Sequence, residues 1–159
     1  MRGIAYLVLA MVFLANFFEP LLEIMECTRE KVVISAALNN AFRAARDRSL
    51  TEESLREQDA QVDESIFVEY FAETFADDLE LNISKLDDTS AVFYGNDRFN
   101  SFEINFQIYD DSFNDKEMTR IDVQLQTKYM FKTKIMKVIE DSTQYSLEMN
   151  ETYLLWVKN

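Results

Sequence analysis

A chain of 159 residues carrying 16 basic and 29 acidic side chains, formal charge -13, is long enough for one domain with an attached element. That charge excludes a nucleic-acid binder, because the phosphate backbone rewards Lys and Arg, while 48% hydrophobic residues, 13 Phe and 7 Tyr exclude a disordered acidic tail. The lack of His and the single Cys remove the usual general base and metal ligand, every imidazole triad and any internal disulfide, and 2 Gly with 1 Pro favour long regular elements.

Residues Ile4 to Leu22 read IAYLVLAMVFLANFFEPLL. This is close to the roughly 20 residues with which a helix crosses a bilayer core. Only Asn16 and Glu19 in it are strongly polar, and Pro20 lies near its end, where a kink is tolerated. A cleaved secretory signal competes with this reading. Arg2 supplies a short basic region, but the run is long for such a signal and no small-x-small site is evident beyond Ala15. A lipoprotein signal ending at Cys27 is disfavoured by Glu26, where a small residue is required, and by Glu23, which interrupts the run. A retained, single-pass anchor fits best. Lys and Arg alone nearly balance across its two flanks under the positive-inside rule. The very short N-terminus resembles a signal-anchor, which puts the C-terminal domain outside the cytoplasm.

No helix breaker falls between Glu23 and Arg48, and Val33, Ile34, Ala37, Leu38, Ala41 and Ala45 recur in steps of three and four. The economical reading is one helix of about 40 residues, about 60 Å long, with its first half in lipid and its second half amphipathic. Asn16, Glu19, Glu23, Glu26 or Cys27, and Glu30 follow the same spacing and share a side. Glu19, Asn16 and Glu23 are therefore candidate intramembrane assembly contacts, since an ionisable group in a membrane is costly and usually has a partner. Interfacial placement of the later residues, with a protonated Glu19, is the alternative. Ala5, Ala10 and Ala15 permit close approach of another helix, but recurring every five they do not line one face. Cys27 reads as a small apolar residue at the membrane boundary, an intersubunit disulfide being the minority option.

Residues 49–61 are polar and read as a linker with a short helical piece near Thr51. The spacing of Val62, Ile66, Phe67, Tyr70, Phe71 and Phe75 predicts a second helix from Asp63 to Asp78 whose aromatic stripe faces a sheet. From Leu79 the period becomes two, with Leu79, Leu81 and Ile83 alternating with polar residues. Further strands are expected at Ala91–Tyr94, Phe102–Ile108 and Ile121–Phe131, with one or two more between Tyr145 and Val157. Turns are expected at 87–90, at Gly95-Asn96-Asp97 and from Asp110 to Lys116, and a helical turn at Ile135–Ile139. Alternation on one side implies an antiparallel sheet with one covered face. The expected class is α+β: a long helix, a second helix and a small antiparallel sheet, divided as helix 1–48, linker 49–61 and an acidic domain 62–159.

Few residues invite chemistry. Asp110, Asp111, Asn114 and Asp115 lack the spacing and the Gly of a calcium loop and read better as an acidic turn. Asp77-Asp78 and Asp87-Asp88 flank element ends, and nothing in the sequence pairs them as catalytic carboxylates. The glycosylation sequons at Asn82 and Asn150 are short patterns in predicted strands. No phosphate loop, nucleophile motif or metal-spaced cluster is present. The reading is therefore non-enzymatic, with no cofactor and no metal.

Three stretches carry a resemblance. They are the apolar segment containing Glu19-Pro20-Leu21-Leu22, the run Ala36-Ala37-Leu38-Asn39-Asn40-Ala41-Phe42-Arg43-Ala44-Ala45-Arg46, and the late strand Ile121 to Phe131 followed by a short apolar helix and a final strand. Together they resemble type IV pilin-like proteins, more particularly the TadE-like pseudopilins of tight-adherence pili. Arg2-Gly3 before Ile4 resembles a minimal prepilin-peptidase site and makes Gly3 and Ile4 the candidate processing site. The fifth residue after it is Val8, where pilins carry Glu. The resemblance implies a minor pilin or pseudopilin that oligomerises through its N-terminal helix in membrane lipid with other pilin-like subunits or pilus-assembly proteins. The alternative is a stand-alone anchored binding or adhesion module, with Trp156, Tyr94 and Tyr109 as candidate ligand or partner contacts.

Overall fold

The computed structural model describes residues 2–50, 62–113, 116–143 and 146–155. The first element, α1, runs unbroken from Arg2 to Ser49, 48 residues or about 72 Å at 1.5 Å per residue. The expected continuous helix is thus present, somewhat longer than its sequence suggested. Pro20 lies inside it. Its ring removes one backbone N–H from the hydrogen-bond ladder without ending the helix.

Helix α2 spans Glu64–Leu79, and Asp63 caps its start by accepting from the Ile66 N–H at 3.1 Å. Helix α3 spans Lys134–Thr143. Five strands follow one another in space as in sequence: β1 Ile83–Asp87, β2 Ser90–Tyr94, β3 Phe99–Phe113, β4 Lys116–Tyr129 and β5 Ser146–Leu155, each antiparallel to the next. Helix α3 connects β4 to β5. The chain is α+β, with a long N-terminal helix, a second helix and a five-stranded antiparallel sheet.

One face of the sheet is apolar because its residues alternate in register. Ile104 opposes Leu125, which opposes Met149; Ile108 opposes Ile121, which opposes Tyr153. The aromatic stripe of α2 covers that face. Phe67, Phe71 and Phe75 are fully buried, and Phe71 meets Phe106 edge-on at 5.0 Å between ring centroids, while Phe75 lies 5.2 Å from Phe93. The second half of α1 completes the cover. Ile34, Ala37, Leu38, Ala41, Phe42 and Ala45 are buried, and Phe42 stacks on Tyr153 of β5 at 3.8 Å. Residues 27–45 of α1 therefore share a single core with the sheet and α2.

Three expectations change. Val33 is 41% exposed, and Phe42 takes the buried place on that stripe. Leu79 ends α2 instead of starting a strand, because a Schellman motif closes the helix. Leu81 N–H donates to Ala76 O at 2.8 Å and Glu80 N–H to Asp77 O at 3.3 Å, with Glu80 left-handed at φ 53. Asp110–Phe113 extend β3, because the antiparallel pairing with β4 continues through them to Lys116–Thr119. β5 is a single strand, within the one or two expected there. The Gly95–Asp97 turn stands as expected. Asn96 Oδ1 accepts from the N–H groups of Arg98 and Phe99 at 2.9 and 3.0 Å, and a Cβ at Gly95 would collide with the carbonyl oxygens of Phe99 and Asn100. The helical piece near Thr51, Asn114, Asp115, Tyr145 and Trp156 lie outside the described residues.

Candidate functional site

The apolar start of α1 and its attachment to the domain form the feature with the most pronounced chemistry. The large apolar side chains from Ile4 to Leu22 are between 50% and 72% exposed. Among the described residues this is the one helix long and apolar enough to cross a membrane. Gly3 and Ile4 both lie within α1, with no atom near a Cβ built at Gly3 and Ile4 71% exposed.

The three polar residues singled out on this helix have different fates. Asn16 donates from Nδ2 to the Val12 carbonyl at 2.7 Å, which satisfies that amide one turn back along the helix. Glu19 is exposed and lines a recess of about 480 Å³ together with Asn16, Pro20, Lys132, Thr133, Lys134 and Ile135. Glu23 differs from the expectation of an intermolecular contact. It is 6% exposed and its carboxylate belongs to its own chain. The Lys132 N–H donates to Oε1, while the Thr133 N–H and hydroxyl donate to Oε2 at 3.2 and 2.7 Å. Thr133 in turn starts α3, its Oγ1 accepting from the Met136 N–H at 3.4 Å and its carbonyl from the Lys137 N–H at 3.0 Å. A carboxylate thus sits at the positive end of a helix dipole and closes orphan donors there.

Three more ties fix α1 above this point. Glu30 forms an ion pair with Arg98, whose carbonyl accepts from the Met130 N–H at 2.7 Å. Higher up, the Tyr153 hydroxyl donates to Asn39 Oδ1 at 3.4 Å and Asn40 Nδ2 donates to Asp78 at 2.8 Å. Cys27 is buried in the core that α1 shares with the sheet and α2. It lines, with Ile24, Thr28, Lys31, Phe131, Met136 and Leu147, an apolar cavity of about 470 Å³.

The outer face of the sheet holds the other candidates. Tyr94 is 62% and Tyr109 42% exposed. Tyr94 pairs with Ser101 of β3, so Tyr109 stands eight positions farther along, about 26 Å away at ~3.3 Å per residue. The two rings do not form one pocket. Tyr109 is instead part of a local network: the Arg120 guanidinium lies 4.6 Å from its ring centroid, and Arg120 pairs with Asp122 at 3.3 Å. Asp78 accepts from Asn40, and Asp87 is held below the usual carboxylate range by hydrogen bonds from Lys85 first and Ser90. Among the described residues no group of three or more Cys, Asp or Glu side chains could hold a metal ion.

The sequence pattern had not singled out Lys132, Thr133, Lys134 and Lys137. The signal was available: the stretch from Lys128 to Lys137 carries four lysines and no acid in a chain of net charge -13. No protein-family model, curated protein or solved structure matches the chain.

Proposed function

We propose that this chain is a non-enzymatic, single-pass membrane subunit of pilin-like, TadE-like type. Its acidic domain lies outside the cytoplasm, and its first helix packs against like helices in a pilus or a pilus-assembly machine. One observation carries the reading: α1 is continuous from an exposed apolar half into a half that forms part of the domain core. A tether needs no such continuity, and a flexible linker would serve it better. A helix rigidly joined to its domain makes the domain's position follow from helix packing, which suits an assembly subunit. The absence of His, and the placement of the acidic doublets at separate element ends, support a structural role over a catalytic one.

A stand-alone binding module is the second reading, supported by the exposure of Tyr94 and Tyr109. Their separation along β3 weighs against a single aromatic site there. A photo-crosslinking residue at Phe13 separates the two. Crosslinks to the apolar helices of other subunits are expected for assembly; adducts to lipid alone would establish the stand-alone module. Mass spectrometry of the mature N-terminus tests processing at the same time, a start at Ile4 being the pilin outcome.

A further inference from the structure

The recess beside Glu19 joins two parts of the chain that are far apart in sequence. Asn16, Glu19 and Pro20 line one side, and Lys132, Thr133, Lys134 and Ile135 line the other. Glu23 holds that second side in place through the Lys132 and Thr133 amides. The domain therefore starts alongside the last turns of the apolar run, with no spacer between them. From Ile4 to Leu22 the helix rises about 28 Å, close to the ~30 Å of a bilayer core. Seating that run in lipid puts Asn16–Pro20 near the headgroup boundary and carries residues 132–135 to the same depth.

The residues at that depth have the chemistry of a membrane surface. Lys132, Lys134 and Lys137 are exposed. Ile135 is 49% and Val138 70% exposed, while Met136 faces the core at 7%. At 100° per residue, Lys137, Lys134, Val138 and Ile135 fall in succession round the outward side of α3, opposite Met136. This is a short amphipathic helix with apolar residues flanked by lysines whose stems can reach a headgroup. Glu19 on the rim and the Glu23 carboxylate against the Lys132 and Thr133 amides offset two of the three charges and leave residues 132–138 with one net positive charge. Asp141 follows one turn beyond Lys137, outside residues 132–138. In a chain of net charge -13, this lysine-bearing end is the part next to the apolar run that an anionic surface would attract.

We propose that residues 132–138 form a membrane-surface platform that docks on anionic phospholipid headgroups, with Ile135 and Val138 entering the boundary between headgroups and acyl chains. The inference rests on the membrane-spanning reading of α1. It adds a second, lipid-selective contact, so that the anchor and α3 together set the height and tilt of the domain over the bilayer.

Spin-label depth measurements on the full chain in nanodiscs test this, with Cys27→Ala as background and single labels at Leu9→Cys, Val138→Cys and Asp88→Cys. Depth is read from collisions with oxygen against those with a water-soluble nickel chelate. In bilayers containing phosphatidylglycerol, the label at 138 should sit at interfacial depth, the label at 9 deep and the label at 88 in water. Lys132→Gln, Lys134→Gln and Lys137→Gln combined, or pure phosphatidylcholine, should shift the label at 138 toward water and leave the one at 9 unmoved. A label at 138 as nickel-accessible as the one at 88, with 9 deep, overturns the platform and leaves the spanning reading standing. Equal depth in both lipids overturns the anionic preference. Shielding of 138 from both quenchers in either lipid means a protein covers it, which also overturns the proposal. A water-exposed label at 9 overturns the spanning reading itself.

Discussion

The Glu23 carboxylate and the Thr133 hydroxyl meet at 2.7 Å across 110 positions of sequence. With the Lys132 and Thr133 amides also donating to it, this carboxylate fastens α1 to the start of α3. Glu23→Ala leaves two part-buried amides without their acceptor and should cost about 1–2 kcal/mol. Glu23→Gln keeps one acceptor but turns an NH2 group toward a donor, so its loss should be intermediate. Chemical unfolding in detergent, with amide exchange at 132 and 133, checks both. Unchanged protection of those two amides in Glu23→Ala would show that the latch carries no energy.

The aromatic layer between α2 and the sheet should dominate stability. Phe71 is fully buried and touches Phe67, Phe75 and Phe106. Phe71→Ala is expected to cost about 3–5 kcal/mol through lost burial and the cavity left behind. Tyr94→Ala, on the exposed outer face, should stay within about 0.5 kcal/mol of wild type. Equilibrium denaturation of the two variants measures the contrast, and equal losses would contradict the burial pattern.

Local periodicity explains which elements were legible in the sequence. The stripe at Phe67, Phe71 and Phe75 and the alternation at Phe102, Ile104 and Phe106 each bury one face, so spacing alone reveals the element and its inward side. Glu23 was legible only as a polar residue on the helix. Its partners are backbone amides brought to it by the fold, and a backbone amide leaves no residue-type signal. Leu79 and Leu81 imitated a strand because both pack on the core while the chain turns between them through a left-handed Glu80. Likewise, Asp110 and Asp111 carry turn chemistry yet lie in a ladder held by cross-strand pairing.

Glu80 is the one non-glycine residue with positive φ among those described. A side chain in that region costs about 1–2 kcal/mol, while Gly loses more entropy on folding. Glu80→Gly should therefore stabilise the fold by about 0.5 kcal/mol net. A rise in the denaturation midpoint at unchanged slope checks it, and a fall would mean that the Glu80 side chain makes a contact that outweighs the strain.

Tyr153 makes stability depend on high pH. Burial, followed by the nearby Glu151 charge, pushes its hydroxyl from 10.0 up to about 12. The neutral form is favoured in the folded state, so this contribution is complete below pH 10 and is lost as pH rises through about 12. Between those values the unfolded chain releases the proton first, and folding weakens with each step in pH. In Tyr153→Phe that slope should flatten. Denaturation midpoints from pH 9 to 12, with tyrosinate absorbance followed in parallel, measure it; the same slope in both proteins would assign the effect to other tyrosines.

The anchor and the domain core should respond separately to mutation, because they occupy different halves of α1. Leu9 is 69% exposed and lies well before Pro20 and Glu23, where the domain begins to bury the helix. Leu9→Arg removes no core contact and should leave the unfolding midpoint in detergent unchanged. In a bilayer the same substitution places a charge near the centre of the span, at about 3 kcal/mol on insertion scales. Partition into the carbonate-resistant membrane fraction should fall, whereas Ala41→Arg in the buried half should collapse the domain. A Leu9→Arg protein that stays fully in the carbonate-resistant fraction would mean that the span tolerates the charge, because alkaline carbonate strips chains held only at the membrane surface.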